Sequence, residues 1–529
     1  MDQPTTEKKP FFRRGLLYLI IVLIAAVIVG VFAFLRFNTT STTTRGADYI
    51  EGLPKDKVTV GILSEISGLY PTFEFDTDSV QVNSNIYEGL TILRNGRVIP
   101  GLAKSWTNPD TLTWRVRLRE GVKFHSGDAL KASDIKYSID EAKKNETWVS
   151  NFVALRLDSV EVLDEKTVEL KTKNPDPTLL HWMILLFIIS EDQVKRDGLE
   201  KAVGTGPYKL ASFGKKETTL QANADYWSGE PKVKKLIYKQ MEDDEALAAG
   251  LENGQLDIAM VTHETNNGRL KQKGFQVTSS RLSDIYFIGL NNTKKPFDNP
   301  KTRKAVWLAL NIPSLLVNSN LAGEVLSQFA TPELIGYNRA LTKPKRDLQE
   351  AKRLLTEAGY PQGFTVTLDA PIHRKAEAEE IKKQLAEVGI NVNLNIMTDP
   401  ERFFGKIASG DFSAFTLGYA PDTLDSTDLL QTLFHTPENG AGSYNFYGYS
   451  SPDLDKLLDE AAKTFNPQER AKIMEDAHKK VVEDLPVIPL YTRAGFFVIR
   501  EDIAFKPAPF GFIFGFELSG RQKTADTTQ

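Results

Sequence analysis

The motif of this sequence that most resembles an enzyme's is Ser133-Asp134-Ile135-Lys136. It fits Ser-x-x-Lys, the pattern in which penicillin-binding enzymes carry their serine nucleophile. The Lys-Thr-Gly and Ser-Asp-Asn motifs that accompany it in those enzymes do not occur in the sequence. Ser133 also stands where a helix needs an N-cap residue. The pattern therefore favours a helix start over catalysis, and we predict no enzyme activity. A membrane-anchored hydrolase stays the alternative from another functional class.

Three further features of the sequence bear on cofactors. Gly204-Thr205-Gly206 lacks both the third glycine of a dinucleotide fingerprint and the Gly-Lys-Ser/Thr of a P-loop, so it predicts a shaped turn and no nucleotide site. The sequence has no cysteine, which removes disulfides, thiolate metal sites and cysteine nucleophiles. Its histidines never form a His-x-x-x-His pair; they are His125, His181, His263, His373, His435 and His478. We therefore predict no cofactor and no metal site.

The elements around Ser133 suggest a strand, a loop and a helix. Trp114, Val116 and Leu118 alternate with three arginines, as in a half-buried strand. A loop follows at 121–128, and then Ile135, Ile139 and Ala142 share one face of a helix.

Length and charge bound the overall organisation. At 529 residues the chain exceeds what one hydrophobic core holds, so two or more lobes are expected. Its 65 basic and 69 acidic residues give a net charge of -4, which gives no bulk attraction to nucleic acid. We predict no nucleic-acid partner.

The N-terminus contains a candidate membrane span. Residues 16–35 are twenty residues without a charge, about the length that crosses a bilayer as a helix. Four basic residues precede the span within 1–15, which predicts a cytoplasmic N-terminus and a single-pass cell-membrane protein with its C-terminal domain outside. A cleaved signal peptide is the alternative, but its apolar core would be shorter. Residues 36–54, rich in threonine, form the predicted linker.

The rest of the chain alternates between strand and helix patterns. A hairpin is predicted around Asp164-Glu165, and a buried helix over 179–189. Helix and strand patterns then alternate over 348–396, which indicates a mixed or parallel sheet. Two amphipathic helices follow at 453–465 and 467–484, and a strand-rich segment at 486–499. The predicted class is α/β.

Several blocks resemble one protein family. They read YEGL from Tyr87, PGLAKSW from Pro100, GVKFHSGD from Gly121, ASDIKYS from Ala132 and GTGPY from Gly204. In this order they resemble family 5 extracellular solute-binding proteins, the dipeptide- and oligopeptide-binding type of peptide and nickel ABC transporters. The resemblance runs from about Val58 to Ile503.

The resemblance implies a bilobal periplasmic-binding-protein-like fold with mixed sheets, hinge closure and an extra subdomain. Lobe I would comprise 55–84, 203–298 and 495–520, with the extra subdomain at 85–202, and lobe II would comprise 299–494. The implied function is capture of di- or oligopeptides by a monomer and their delivery to a permease and an ATPase on separate chains. Nickel, a metal chelate or an oligosaccharide is the alternative ligand.

The resemblance also implies ligand contacts. Asp422 falls where dipeptide-binding relatives pair an aspartate with the ligand's ammonium group, and Asp425 is the second candidate if the register differs. Arg374 falls where relatives supply an arginine to the ligand's carboxylate. Tyr419, Trp106 and Tyr87 are candidate pocket aromatics. The alternatives are a helix cap for the aspartates, a solvated charge for the arginine, and core packing for the aromatics.

Overall fold

The computed structural model describes residues 49–69, 77–94, 97–145, 149–421, 423–438, 441–507 and 511–523. The chain divides into a large unit, Glu51–Arg521, and a unit made of the two termini, 1–50 and 522–529. Of the terminal unit, only the strand residues 49, 50, 522 and 523 are described. The predicted span at 16–35 lies outside the described residues. Among the residues that are described, no helix is both long and apolar enough to cross a membrane.

The described strands, in chain order, are β1 (Tyr49–Leu53), β2 (Lys55–Ile62), β3 (Thr91–Arg94), β4 (Arg97–Pro100), β5 (Ala103–Thr107), β6 (Thr113–Leu118), β7 (Leu157–Asp164), β8 (Thr167–Thr172), β9 (Tyr208–Ser212), β10 (Glu217–Ala222), β11 (Val233–Gln240), β12 (Ile258–Val261), β13 (Gln276–Arg281), β14 (Ile285–Leu290), β15 (Gly323–Val325), β16 (Phe364–Pro371), β17 (Ile390–Met397), β18 (Ala414–Tyr419), β19 (Val487–Ile499), β20 (Ile503–Ala504) and β21 (Ser519–Lys523).

The described α-helices are α1 (Thr77–Ile86), α2 (Ala132–Lys144), α3 (Val149–Ala154), α4 (Leu179–Trp182), α5 (Glu191–Asp197), α6 (Asp244–Glu252), α7 (Glu264–Gln272), α8 (Pro300–Ala309), α9 (Ile312–Asn318), α10 (Leu348–Glu357), α11 (Lys375–Ala386), α12 (Pro400–Ala408), α13 (Ser426–Phe434), α14 (Pro452–Ala461) and α15 (Pro467–Asp484). Short 3-10 turns lie at Ile372–Arg374 and Gly515–Glu517.

One long strand, β19, pairs with four other strands of the largest sheet. The strands follow in the order β17-β16-β18-β14-β19-β12-β2-β11-β10-β9, and β13 and β15 also pair with β19. The first half of β19 pairs with β14 and β15, and its second half, from Ala494, pairs with β12 and β13. Since β16 and β17 are parallel and β14 and β18 antiparallel, the sheet is mixed. The α/β class with mixed sheets is confirmed.

Residues 85–202 contain a smaller sheet of order β5-β6-β8-β7. The predicted strand pattern is confirmed, because Trp114, Val116 and Leu118 face the core while the arginines between them do not. The predicted hairpin is also present as β7 and β8. The division into two lobes and a subdomain stays a prediction.

Two local predictions were wrong. Ser133 is not the N-cap of α2: the helix begins at Ala132, and the Asp134 carboxylate accepts a hydrogen bond of 2.8 Å from the N–H of Lys131. The apolar run at 179–189 is helical only at Leu179–Trp182. Further on, the N–H of Ile188 donates to the carbonyl of Glu88, and the N–H of Ile189 to Ser138 Oγ. These hydrogen bonds to other segments replace helical ones in the second half of the run, which apolar periodicity alone cannot reveal.

The glycines of the Gly204-x-Gly206 pattern permit a close backbone approach. A Cβ on Gly204 would lie 2.0 Å from the carbonyl oxygen of Ile86, and one on Gly206 would lie 2.5 Å from that of Asn85. The N–H of Gly206 donates to Ile86 at the end of α1. The segment thus packs tightly on α1, and this packing is a structural reason for both glycines.

Candidate functional site

Arg374 lies buried where β16 passes through a 3-10 turn into α11. Its side chain is 4% exposed. The guanidinium Nε and Nη2 donate to Glu377 Oε2 at 3.0 and 2.6 Å, and Tyr491 Oη donates to the same oxygen at 2.7 Å. Arg374 Nη1 has no hydrogen-bond partner among the described residues. Burial disfavours the charged guanidinium, but the Glu377 carboxylate outweighs this and raises the pKa of Arg374. Arg374 therefore keeps a fixed, charged donor that has no partner among the described residues.

Arg374 lines a cavity of about 350 Å³, here named the arginine cavity. Arg493 also lines it, with Nε 2.6 Å from Asp284 Oδ2. Both guanidinium groups lie near the ring of Tyr286, at 4.4 Å for Arg374 and 5.2 Å for Arg493. His373 lines the same cavity, where burial and then the Arg374 charge lower its pKa. Asp284 and Asp399 line the cavity as well, and both arginines are already paired with carboxylates, so the arginines are the candidate contacts for a ligand carboxylate in a lining of mixed charge.

A second cavity of about 350 Å³, here named the aromatic cavity, adjoins the first. The two share lining residues, including Phe404, Leu417, Gly418 and Ala420. Eight aromatic side chains line the aromatic cavity, and none of its described lining residues is Asp, Glu, Lys, Arg or His. One apolar chamber therefore lies beside one chamber with charged donors.

Tyr419 ends strand β18 and lines the aromatic cavity. Its ring lies 6.4 Å from that of Tyr444, which is half exposed. Trp182 and Leu185, which belong to segment 85–202, line the same cavity. Two segments far apart in sequence therefore line one chamber.

Asp422, the predicted partner of an ammonium group, lies outside the described residues. Asp425 is described and fully buried. Its carboxylate accepts from Arg470 Nε and Nη2 at 2.9 and 2.8 Å and caps α13 through the N–H of Thr427. Both carboxylate oxygens are thus occupied within the protein, and the structure supports the alternative role of a helix cap.

Asp428 ties α13 to segment 85–202. It accepts hydrogen bonds from Trp182 Nε1 at 3.0 Å, Thr178 Oγ1 at 3.2 Å and Arg156 Nη2 at 3.3 Å. Burial raises the pKa of Asp428 to about 6, although the Arg156 charge opposes this rise. Since the bond to Trp182 fixes the indole, Asp428 shapes the wall of the aromatic cavity.

The other two predicted aromatics lie elsewhere. Trp106 is on β5, opposite Val116, and packs against the core of segment 85–202. It lines none of the described cavities named above. Tyr87 is buried, donates to the carbonyl of Leu69 at 2.9 Å and lines a separate cavity of about 90 Å³. Both placements fit core packing.

Sequence reasoning missed several lining residues. Arg493, Phe404 and Tyr444 come from segments whose patterns predict only strands, helices and loops. Asp428 lines neither cavity but holds Trp182 in place, and its position in the aspartate-rich stretch after Tyr419 is a signal that could have pointed to it. Within the described part of the chain, no group of three or more His, Cys, Asp or Glu side chains is arranged to hold a metal ion.

Known proteins and solved structures are similar to this chain over most of its length. The family described as bacterial extracellular solute-binding proteins, family 5 Middle, matches residues 97–441. The glutathione-binding protein GsiB of Escherichia coli (strain K12) is 28% identical over 452 residues, covering 82% of this chain and 88% of GsiB. HbpA2 from Haemophilus parasuis matches with a TM-score of 0.80 and 25% identity over 88% of this chain and 100% of its own. The periplasmic binding protein DppA from Helicobacter pylori, in complex with the peptide STSA, matches with a TM-score of 0.73 and 24% identity over 88% of this chain and 98% of its own.

Proposed function

Because this chain belongs to family 5 of the bacterial extracellular solute-binding proteins, we propose that it binds a short peptide whose terminal carboxylate lies at Arg374. The family serves ABC transport. One of the relatives reported above, GsiB, is named for glutathione, and another, DppA, was solved with a peptide. The proposed role is capture of the peptide without chemistry and its transfer to a separate permease and ATPase.

The observation that carries the proposal is the state of Arg374. A buried guanidinium with an unused donor carries an energetic cost that a ligand carboxylate would relieve. Glu377 fixes the fork in position, so little side-chain entropy is lost on binding. Asp422 is the proposed partner of the peptide's ammonium group, on the family resemblance alone.

Opening of the site is proposed to occur by a hinge. Trp182 and Tyr419 line the aromatic cavity from segments far apart in sequence, so separating these segments would open the cavity more widely to a ligand. Support for the hinge position comes from β19, which changes strand partners between Arg493 and Ala494. Arg493 also lines the arginine cavity, so a ligand bound there would contact the residue at which the proposed hinge lies.

The carboxylate contact predicts a clear mutational result. In Arg374→Gln/Glu377→Gln both charges are removed together, which avoids leaving an unpaired buried glutamate. Binding of free-acid dipeptides should weaken by at least about tenfold, since a charge-assisted hydrogen bond is lost. Isothermal titration calorimetry with free-acid and C-terminally amidated dipeptides measures this: the amide should bind the native chain weakly and should lose little more in the variant.

Arg353→Gln provides the matched control, because Arg353 is an exposed arginine paired with Glu350 on α10. It should bind both peptides as the native chain does. Equal affinity of the native chain for free-acid and amidated peptides would remove Arg374 from the proposed site.

Membrane attachment is proposed through residues 16–35, with the C-terminal domain outside the cytoplasm. The full chain should stay in the membrane pellet after high-salt and alkaline washes, whereas a chain starting at residue 49 should be soluble. Protease added to spheroplasts should digest the C-terminal domain. A mature N-terminus beginning after this segment, found by terminal sequencing, would show that it is a cleaved signal peptide instead.

A further inference from the structure

We infer that the aromatic cavity holds a large aromatic side chain of the peptide, one that carries a hydrogen-bond donor, as indole and phenol do. The inference rests on the proposed function, because the cavity adjoins the arginine cavity. A peptide whose carboxylate lies at Arg374 would present one of its last two side chains to this chamber.

The size of the cavity requires a large group. A cavity of about 150 Å³ is enough to bind benzene. The aromatic cavity has about 350 Å³, so an alanine or valine side chain would leave most of it unfilled. An indole or a phenol fills far more of it and contacts the surrounding rings edge to face.

The lining excludes charged side chains. None of the described lining residues is acidic or basic, so a buried carboxylate or ammonium group would have no counter-charge. Peptides with acidic or basic residues near the carboxyl end are therefore not expected to place those side chains in the aromatic cavity.

One hydroxyl in the lining indicates a donor on the ligand. Tyr447 is 1% exposed and lines the cavity, and its Oη has no hydrogen-bond partner among the described residues. A buried hydroxyl without a partner is costly, and a ligand N–H or O–H would supply one. Among apolar side chains of the required size, only tryptophan and tyrosine carry such a donor.

The first test is a calorimetric series on the soluble chain from residue 49. Dipeptides with tryptophan in either position beside alanine should bind about thirtyfold or more tighter than alanyl-alanine, as expected for burial of a large apolar surface. Glutamate or lysine in the same positions should bind no better than alanyl-alanine. Replacing the indole by benzothiophene keeps the shape and removes the N–H, and should cost about threefold to tenfold.

Two variants assign these effects to the cavity. Tyr447→Phe should abolish the difference between indole and benzothiophene. Tyr444→Ala opens the half-exposed rim and should reduce the preference for tryptophan over alanine at least about threefold. Phe213→Ala is the matched control, because Phe213 is 49% exposed and lines none of the described cavities named above, and it should change neither preference.

The outcomes separate this inference from the proposed function. Tight binding of all free-acid dipeptides without preference for tryptophan or tyrosine would overturn the aromatic assignment and leave the peptide-binding function standing. No binding of any free-acid dipeptide would overturn both. A preference for aromatic residues that Tyr444→Ala leaves intact would place the side chain elsewhere and would also overturn this inference.

Discussion

Asp425→Asn should lower the free energy of unfolding by about 3–5 kcal/mol, the range found when one partner of a buried ion pair is removed. Asp425 and Arg470 are at most 2% exposed and lie 2.8 Å apart. Asparagine can still cap α13 through Thr427, so the substitution changes the charge and keeps the cap. The loss therefore reports the Arg470 guanidinium left buried without its counter-charge.

A double-mutant cycle separates charge from packing. Arg470→Met alone should also destabilise, because it leaves the Asp425 carboxylate unpaired. The double variant Asp425→Asn/Arg470→Met should recover much of the loss, since no buried charge is left over. Urea denaturation measures all three, with Asp140→Asn as control for the exposed pair of Asp140 and Lys136. Additive losses in the double variant would show that the two residues act independently.

Local pattern predicts much of the fold of this chain. The alternation of helix and strand predicted over 348–396 is present: α11 is followed by Gly389, which has φ of +85°, and then by β17. Periodicity and stop signals suffice here because one face of each element is buried against the same sheet. Pairing partners do not follow from these signals: nothing local shows that β19 joins β14 to β12.

The site was predicted less completely. The family resemblance indicated Arg374, but its ordering depends on Glu377 and on Tyr491, which is 114 residues beyond Glu377 in the chain. Asp425 and Asp428 stand three positions apart in one polar stretch, yet the first pairs with Arg470 and the second with Arg156. Residue type and spacing could not distinguish these roles, because both are set by residues far away in sequence.

A second large effect is expected from His478, which lies on α15 and is fully buried. Neither ring nitrogen has a hydrogen-bond partner among the described residues. Burial lowers the pKa of His478 to about 3, whereas an unfolded histidine has a pKa of about 6.5. The unfolded chain therefore binds the proton more tightly. Above pH 6.5 the histidine is neutral in both states, so the pKa difference does not change the free energy of unfolding. As the pH falls from 6.5 toward 3, only the unfolded chain takes up the proton, and the free energy of unfolding falls progressively.

His478→Leu should remove that dependence. Between pH 6.5 and 4 the native chain should lose about 3 kcal/mol of unfolding free energy through this histidine, and the leucine variant should not. At pH 7 the variant should be at least as stable as the native chain, because a buried polar ring without partners is replaced by an apolar side chain. His478→Gln should show the same flatter pH profile but lower stability at pH 7, since it buries an amide. Urea denaturation at several pH values measures all three proteins, and parallel profiles of the native chain and the leucine variant would show that His478 is already protonated or solvated when folded.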